Sequence, residues 1–343
     1  MNTLFLIGNG FDLAHGHKTK YIDFIYWYLN SVVEKHNQSN FRKDELIEIN
    51  SQSSRMNIRI DNSQSILEFN NNYRPVHAHS FVGKIISKSM DANWVDIEEE
   101  YYLQLKTVAN TYKIRKDYGP DYANEIKILN NSFEALKMKL IEYLNGIQGD
   151  FTKSESLEKI IKNEQSRSLP SSIRTKGTNL FLNFNYTNLI SSYIESNHLT
   201  SNTFINIHGV LDNPGSIIFG YGDEIDAYYE EIENLNNNEF LKHIKSFDYL
   251  KTDNYGSLIN FIKSGLDYKV VILGHSCGIS DRVLLNTIFE SENCKEIKIY
   301  YYAWEGGNDF TEKTQNISRH FHKDKKEKMR EKIVSFEKSS PLR

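Results

Sequence analysis

Cysteine and proline are scarce in this chain of 343 residues, which contains 2 Cys and 5 Pro. The two cysteines, Cys277 and Cys294, form no Cys-x-x-Cys pair, which excludes a disulfide framework and a zinc site built from four thiolates. With 39% hydrophobic and 13% aromatic residues, the composition is globular and excludes a disordered or collagen-like chain. The low cysteine content favours a reducing compartment, and we expect a cytoplasmic protein.

Long apolar runs and an excess of one charge are also absent. No segment approaches the roughly 20 consecutive apolar residues that a membrane-spanning helix needs, so we expect no membrane partner. The first residues have no basic region before their apolar run, and the sequence therefore predicts no signal peptide. The net charge is −4, from 41 Lys and Arg against 45 Asp and Glu. This balance makes nucleic acid an unfavoured partner.

Short apolar runs predict the strands of an α/β fold. The first run, residues 4–7, ends at a glycine turn, and a helical pattern follows at residues 21–33. Strand, glycine turn and helix are the opening of a nucleotide-binding βα unit. Later apolar runs alternate with helical patterns, one of them a long pattern at residues 228–262, and lie at residues 179–184, 203–207, 216–219, 270–273 and 297–302. The alternation predicts a Rossmann-like, mostly parallel sheet.

A long segment that predicts helices separates the first βα unit from the later strands. Residues 36–73 are rich in Asn, Ser and Gln and predict an irregular or mobile stretch, and three helical patterns follow at residues 80–90, 94–112 and 123–144. We therefore expect a nucleotide-binding core of residues 1–35 and 177–310, a helical insertion of residues 36–176, and a C-terminal helix or tail of residues 311–343. The excess of Lys and Arg near the C-terminus is typical of a solvated helix, with a basic docking tail as the alternative.

The turn after the first strand is the first candidate binding site. Glycine there allows backbone N–H groups to approach a pyrophosphate. The spacing of Gly8, Gly10 and Gly16 differs from the dinucleotide fingerprint, which would need its third glycine at Leu13, so a tight turn that binds nothing is the alternative. Asp12 either bonds the adenosine ribose or caps the following turn. The candidate cofactor-binding loop comprises Gly8, Asn9, Gly10, Phe11 and Asp12.

Polar turns follow three later predicted strands. An Asn at such a position can hold a ribose hydroxyl or a water, a His can act as general base near neutral pH, and small residues with a hydroxyl suit a phosphate. A helix cap, a structural histidine and a plain strand-to-helix turn are the respective alternatives. Since the carboxyl ends of parallel strands share one edge of the sheet, we expect the turns to form one site. Their candidate residues are Asn183 and Asn185, then His208 and Gly209, then Gly274, His275 and Ser276.

Five segments of the chain resemble a known family. They are IGNGFDLAHGHKTKYIDF at residues 7–24, NWVDIEEE at 93–100, FNYTN at 184–188, NIHG at 206–209 and LGHSCGISD at 273–281. Together they look like the bacteriophage abortive infection AbiH family, over nearly the whole chain. That family is in turn similar to the sirtuin or SIR2-like superfamily. The resemblance implies an antiphage defence protein with a SIR2-like NAD-binding site.

The resemblance also implies roles for individual residues. Gly8 and Gly10 would lie on the NAD phosphates and Ser276 on the adenylate side, while Asn185 and His208 would be catalytic, with Asn185 near the nicotinamide ribose. Thr187 stands where many relatives have Asp. Because two cysteines cannot build the four-cysteine zinc site of sirtuin deacylases, the implied reaction is hydrolysis of the N-glycosidic bond of NAD(P), without a metal.

Two other functions remain as alternatives. One is a nucleotide-sensing or interaction module in phage defence without catalysis. The other is a nuclease-type toxin, which the net charge and the lack of a compact carboxylate cluster in the sequence disfavour. Besides the dinucleotide, a phage-derived trigger and a homo-oligomer are the partners that the resemblance leaves open.

Overall fold

The computed structural model describes residues 1–39, 41–50, 55–91, 96–115, 121–147, 149, 152–165, 177–194, 200–222, 224 and 226–343. Within these residues the strands are β1 (Asn2–Ile7), β2 (Ile47–Ile49), β3 (Pro75–His77), β4 (Gly177–Asn183), β5 (Thr200–Asn206), β6 (Tyr268–Leu273), β7 (Cys294–Tyr301), β8 (Ala303–Trp304), β9 (Gly307–Asn308) and β10 (Ser340–Pro341). The helices are α1 (Asn9–Ala14), α2 (Tyr21–Ser39), α3 (Ser63–Tyr73), α4 (Ser80–Asp91), α5 (Ile97–Arg115), α6 (Asp121–Ile147), α7 (Glu155–Glu164), α8 (Ala227–Glu233), α9 (Lys245–Asp248), α10 (Asn254–Ile262), α11 (Arg282–Glu290), α12 (Phe310–Arg319) and α13 (Lys326–Lys332).

The chain divides into two compact units. The first, which we call the sheet unit, comprises Met1–Lys18, Gln148–Ile218 and Lys245–Arg343. The second, the helical unit, comprises Thr19–Ile147 and Phe219–Ile244. The domain boundaries that the sequence suggests, at residues 36, 177 and 311, stay a prediction.

The sheet unit contains a six-stranded sheet in the order β10-β7-β6-β1-β4-β5, and every neighbouring pair is parallel. The chain runs from β1 outward to β4 and β5 and then returns to place β6 on the other side of β1. Such a reversal of strand order creates the crevice at which open α/β sheets bind ligands. The predicted α/β, Rossmann-like fold is confirmed.

The centre of the sheet is buried on both faces, which explains the continuous apolar runs within β1 and β6. All six residues of β1 are buried. Leu4 and Leu6 belong to one hydrophobic core, and Phe5 and Ile7 belong to another. Because side chains alternate along a strand, these two cores lie on opposite faces of the sheet.

Three expectations about local structure are wrong. Ile217–Phe219 is buried but forms no strand, since a short apolar run also suits an irregular buried connection. The long helical pattern at residues 228–262 is divided into α8, α9 and α10. The stretch at residues 36–73 is ordered in part, because it contains β2 and α3, whose N-terminus is closed by a capping box between Asn62 and Ser65. Trp94 lies outside the described residues.

The helical unit is held together by aromatic side chains. The Phe133 ring stacks on Phe219, with ring centroids 4.7 Å apart, and lies 4.1 Å from the Tyr101 ring. The buried Glu98 carboxylate accepts a hydrogen bond from the Gly220 N–H, at 3.0 Å. No helix among the described residues is long and apolar enough to cross a membrane.

Candidate functional site

Four turns of the sheet unit meet at the carboxyl edge of its sheet. Ile7 of β1 lies opposite Leu273 of β6, and Asn183 of β4 lies opposite Asn206 of β5, so the four strands end at the same level. Hydrogen bonds and ring contacts join the turns that follow them. The structure thus brings together the candidate residues Gly8, Gly10, Asp12, Asn183, Asn185, His208, Gly274 and His275.

The turn after β1 packs backbone to backbone on the turn after β6. A Cβ on Gly8 would lie 2.4 Å from the His275 Cα, and one on Gly10 would lie 2.7 Å from the Gly274 Cα. Gly274 itself has a φ of +77°, which favours glycine. The N–H of Gly8 donates to the Leu273 carbonyl and that of Gly10 to the Gly274 carbonyl, at 3.1 and 2.9 Å. These donors connect the two turns, and their contact with NAD phosphates stays a prediction.

A buried carboxyl group, Asp12 of α1, lies beside the turn after β4. Only 2% of Asp12 is exposed, and its carboxylate accepts hydrogen bonds from the Asn185 Nδ2, at 2.9 Å, and from the Thr187 hydroxyl. Burial raises the pKa of Asp12 to about 7, although the two hydrogen bonds oppose the shift. Both donors are neutral, so neither supplies a countercharge that would offset the burial. Asp12 can therefore gain or lose a proton near neutral pH.

Asn183 braces the loop that carries Asn185 and Thr187. Its Nδ2 donates to the carbonyls of Asn185 and Thr187, at 3.1 and 2.9 Å, and to the Asn206 Oδ1, at 2.8 Å. Its Oδ1 accepts from the Asn185 N–H at 3.2 Å. Asn183 is 0% exposed, so these bonds take the place of water. The Asn185 Nδ2 also donates to the Gly8 carbonyl, at 3.1 Å, which ties this loop to the turn after β1.

The second ionisable centre surrounds His208, which follows β5 and is buried. Its Nε2 lies 3.2 Å from the Asp281 Oδ1 and 3.2 Å from the Tyr249 hydroxyl. The same Oδ1 accepts from the Lys245 Nζ at 2.8 Å. Burial and then Lys245 lower the pKa of His208, although Asp281 raises it. Burial would raise the pKa of Asp281, but Lys245 and His208 hold it well below its ordinary value.

The turn after β6 contributes a second buried histidine, His275. Its Nδ1 accepts from the Cys277 N–H at 2.9 Å, and burial lowers its pKa to about 3, so it is neutral at physiological pH. The Phe184 ring contacts the rings of both His208 and His275, with centroids 5.3 and 4.1 Å apart. Ser276 is exposed, and its carbonyl accepts from the Asn316 Nδ2 at 3.0 Å.

The remaining candidates lie at the margin of these two centres. Phe11 is 0% exposed and packs edge-on against Tyr193, which makes it a core residue. Asn9 is partly buried at the first position of α1. Gly209 has a φ of +83°, and a Cβ there would lie 2.2 Å from the Ser216 carbonyl oxygen, so the tight turn requires glycine. No group of three or more His, Cys, Asp or Glu in the described part of the chain is arranged to hold a metal ion.

Sequence reasoning missed three members of the His208 centre, namely Tyr249, Asp281 and Lys245. Asp281 ends the segment LGHSCGISD, so the resemblance that drew attention to Ser276 contained the signal for it. Lys245 stands in a stretch that predicts one long helix, where a lysine is most often solvated. Only the fold reveals that Lys245 is 0% exposed and paired with Asp281.

Comparison with known proteins identifies the family. No curated protein matches the chain. The family model for bacteriophage abortive infection AbiH matches residues 4–303, which include most of β1 and all four turns of the candidate site. The likeness that the five segments indicated is confirmed. The chain therefore belongs to the bacteriophage abortive infection AbiH family, a family of defence against phage.

Proposed function

We propose that this protein hydrolyses the N-glycosidic bond of NAD(P) at the carboxyl edge of its sheet. The observation that carries the proposal is the buried carboxyl of Asp12, which contacts both Asn185 and Thr187 and has a pKa of about 7. A perturbed carboxyl beside the strand reversal of an open α/β sheet is typical of a catalytic centre. Depletion of NAD(P) would arrest the infected cell and so serve abortive infection.

The proposed reaction proceeds through an oxocarbenium-like state. The bond between the ribose C1′ and the nicotinamide nitrogen breaks, and its electron pair leaves with nicotinamide. The Asp12 carboxylate, poorly solvated, would stabilise the positive charge that develops on the ribose. Water adds its oxygen to C1′ and releases one proton, which His208 or Asp12 accepts.

The two ionisable centres would divide the work of substrate binding and proton transfer. Asn185 would orient the nicotinamide ribose or the water, since Asp12 fixes the orientation of its amide. The neutral form of His208 suits a general base, an effect typically worth about 10²–10⁴-fold in rate. Gly8 and Gly10 with the phosphates, and Ser276 on the adenylate side, are the further contacts that the family resemblance implies.

Release of nicotinamide from NAD or NADP by the purified full-length chain tests the proposal. We expect Asp12→Asn, Asn185→Ala and His208→Ala to reduce the release by about 10²-fold or more while the protein stays folded. The matched control is Asp253→Asn, because Asp253 is exposed in the same unit. Equal turnover by Asp12→Asn and the control would remove Asp12 from the reaction. If the enzyme needs a phage-derived trigger, the purified chain will be inactive, so total NAD is also measured in phage-infected cells that express the same variants.

A second candidate, a nucleotide sensor without turnover, is favoured by one observation. The N–H groups of Gly8 and Gly10 and the Nδ2 of Asn185 already donate to groups within the protein. A ligand that competes with these bonds would rearrange the turns, which is what a sensor needs. Tight binding of NAD in calorimetry without any release of nicotinamide, with or without infection, would support the sensor.

A further inference from the structure

The sheet unit contains a buried ion pair between Lys245 and Asp281. Lys245 is 0% exposed and Asp281 is 8% exposed, and their charged atoms lie 2.8 Å apart. Removing two charges from water costs about as much as their attraction returns, so a pair of apolar side chains would stabilise the fold as well. The pair is therefore poorly explained as a source of stability alone.

The surroundings of the pair indicate what it acts on. Asp281 lies between two histidines, with its Oδ1 3.2 Å from the His208 Nε2 and its Oδ2 3.7 Å from the His275 Nε2. Among the described residues, the groups that face His208 are Asp281, Lys245, the Tyr249 hydroxyl, His275, the ring and the backbone carbonyl of Phe184, and the ring of Tyr186. Asp281 is the anion in this set and Lys245 is the cation.

We propose that Lys245 and Asp281 are positioning residues, which fix the ring orientation of His208 and hold it neutral so that it can accept a proton. The assignment rests on the proposed function only in one respect, namely that hydrolysis of NAD(P) is the reaction in which His208 accepts the proton. A carboxylate beside a histidine fixes its ring but also favours the imidazolium, which cannot act as a base. The positive charge of Lys245 offsets the negative charge of Asp281, so Asp281 no longer favours the imidazolium form of His208. The Asp281 Oδ1 can still accept a hydrogen bond from the His208 ring.

Protonation of His208, measured without NAD, tests the assignment. The full-length chain is labelled with ¹⁵N-histidine, and the signals of His208 are identified by their loss in His208→Gln. We expect Lys245→Met to raise the pKa of His208 by about one unit or more, a tenfold change in its proton affinity, because Asp281 then acts unopposed. Lys263→Met, at an exposed lysine of the same unit, should leave the titration unchanged. The same midpoint in Lys245→Met and in the wild type would overturn the assignment.

A double variant keeps the test decisive if Lys245→Met does not fold. Lys245→Met with Asp281→Asn removes both charges and so leaves neither one buried and unpaired. We expect His208 to stay neutral and its ring N–H resonance to move upfield, because the carboxylate acceptor has gone. An unchanged ring resonance in this folded double variant would likewise overturn the assignment. These spectra need no substrate. If the chain fails to hydrolyse NAD(P), the proposed function is contradicted, but the measured effect of Lys245 and Asp281 on His208 is not.

Discussion

Two aspartates at the carboxyl edge of the sheet, Asp12 after β1 and Asp281 after β6, have the same side chain and opposite acidities. Both are buried, at 2% and 8% exposure. Asp12 has two neutral donors and a pKa raised to about 7, whereas Asp281 has Lys245 and two histidines and a pKa well below its ordinary value. Burial moves a carboxyl towards the neutral form; two neutral donors do not reverse that shift at Asp12, whereas Lys245 with the histidines does at Asp281.

The difference assigns distinct tasks to the two carboxyls. Asp281 is permanently charged at physiological pH, so it can act as a fixed acceptor for His208 but cannot exchange a proton. Asp12 is close to half-protonated at the same pH and can do so. Titratable groups whose environments drive their pKa values apart are the usual basis for an acid and base assignment. Loss of Lys245 should therefore destabilise one centre and leave the other unchanged.

The largest expected effect on stability comes from Lys245→Met. The substitution leaves Asp281 charged and buried without its cation, and we expect a loss of about 3–5 kcal/mol in the free energy of unfolding. Urea denaturation at neutral pH measures the loss. The exposed Lys263→Met should remain within about 0.5 kcal/mol of the wild type. A loss no larger than that of Lys263→Met would show that Asp281 does not depend on Lys245.

The second-largest expected effect is a difference in how the two aspartates make the free energy of unfolding depend on pH. The native pKa of Asp12, about 7, lies above its ordinary value of 3.8. Between these values the unfolded chain releases the proton and the native chain keeps it, so stability falls as pH rises, by on the order of 4 kcal/mol in total. The native pKa of Asp281 is depressed, so its contribution is present above pH 3.8 and is constant between pH 5 and 8.

Asp12→Asn isolates this dependence from the rest of the chain. We expect the variant to be less affected by pH than the wild type and to become the more stable of the two at pH 8. Urea midpoints at pH 5 and pH 8 for both proteins give the comparison, with Asp253→Asn as the exposed control. Parallel curves for wild type and Asp12→Asn would mean that Asp12 ionises like an exposed aspartate.

The sequence predicts the central sheet well because buried parallel strands are short apolar runs, and β1, β4 and β6 show this pattern. It fails where burial occurs without regular structure. Ile217 and Ile218 are as apolar as a strand, but the chain follows a 3-10 turn at Pro214–Ser216 before them. Single-residue hydrophobicity reports burial, and it does not report which backbone hydrogen bonds are made.

The position of the candidate site could be predicted from the sequence, but the ionisation of its side chains could be predicted only in part. Strand ends and glycine turns located Gly8, Asn185 and His208 at one edge, because parallel strands share that edge. The sequence could not show that Asp12 is buried beside two neutral donors, or that Asp281 is buried beside the charged Lys245. Both properties arise from contacts between residues that are far apart in the chain, such as Asp12 with Thr187.

The smallest effect, from Thr187→Val, examines how much a neutral donor contributes to Asp12. Valine has nearly the same shape as threonine but cannot donate to the carboxylate. Since hydrogen bonds to charged groups contribute about 1.5–3 kcal/mol, we expect a loss of up to that size at pH 8 and a smaller one at pH 5, where Asp12 is protonated. Thr203→Val on an exposed position of β5 is the control, and urea midpoints are again the measurement. If the loss is equal at both pH values, the Thr187 hydroxyl stabilises the charged and the neutral form of Asp12 equally and does not lower its pKa.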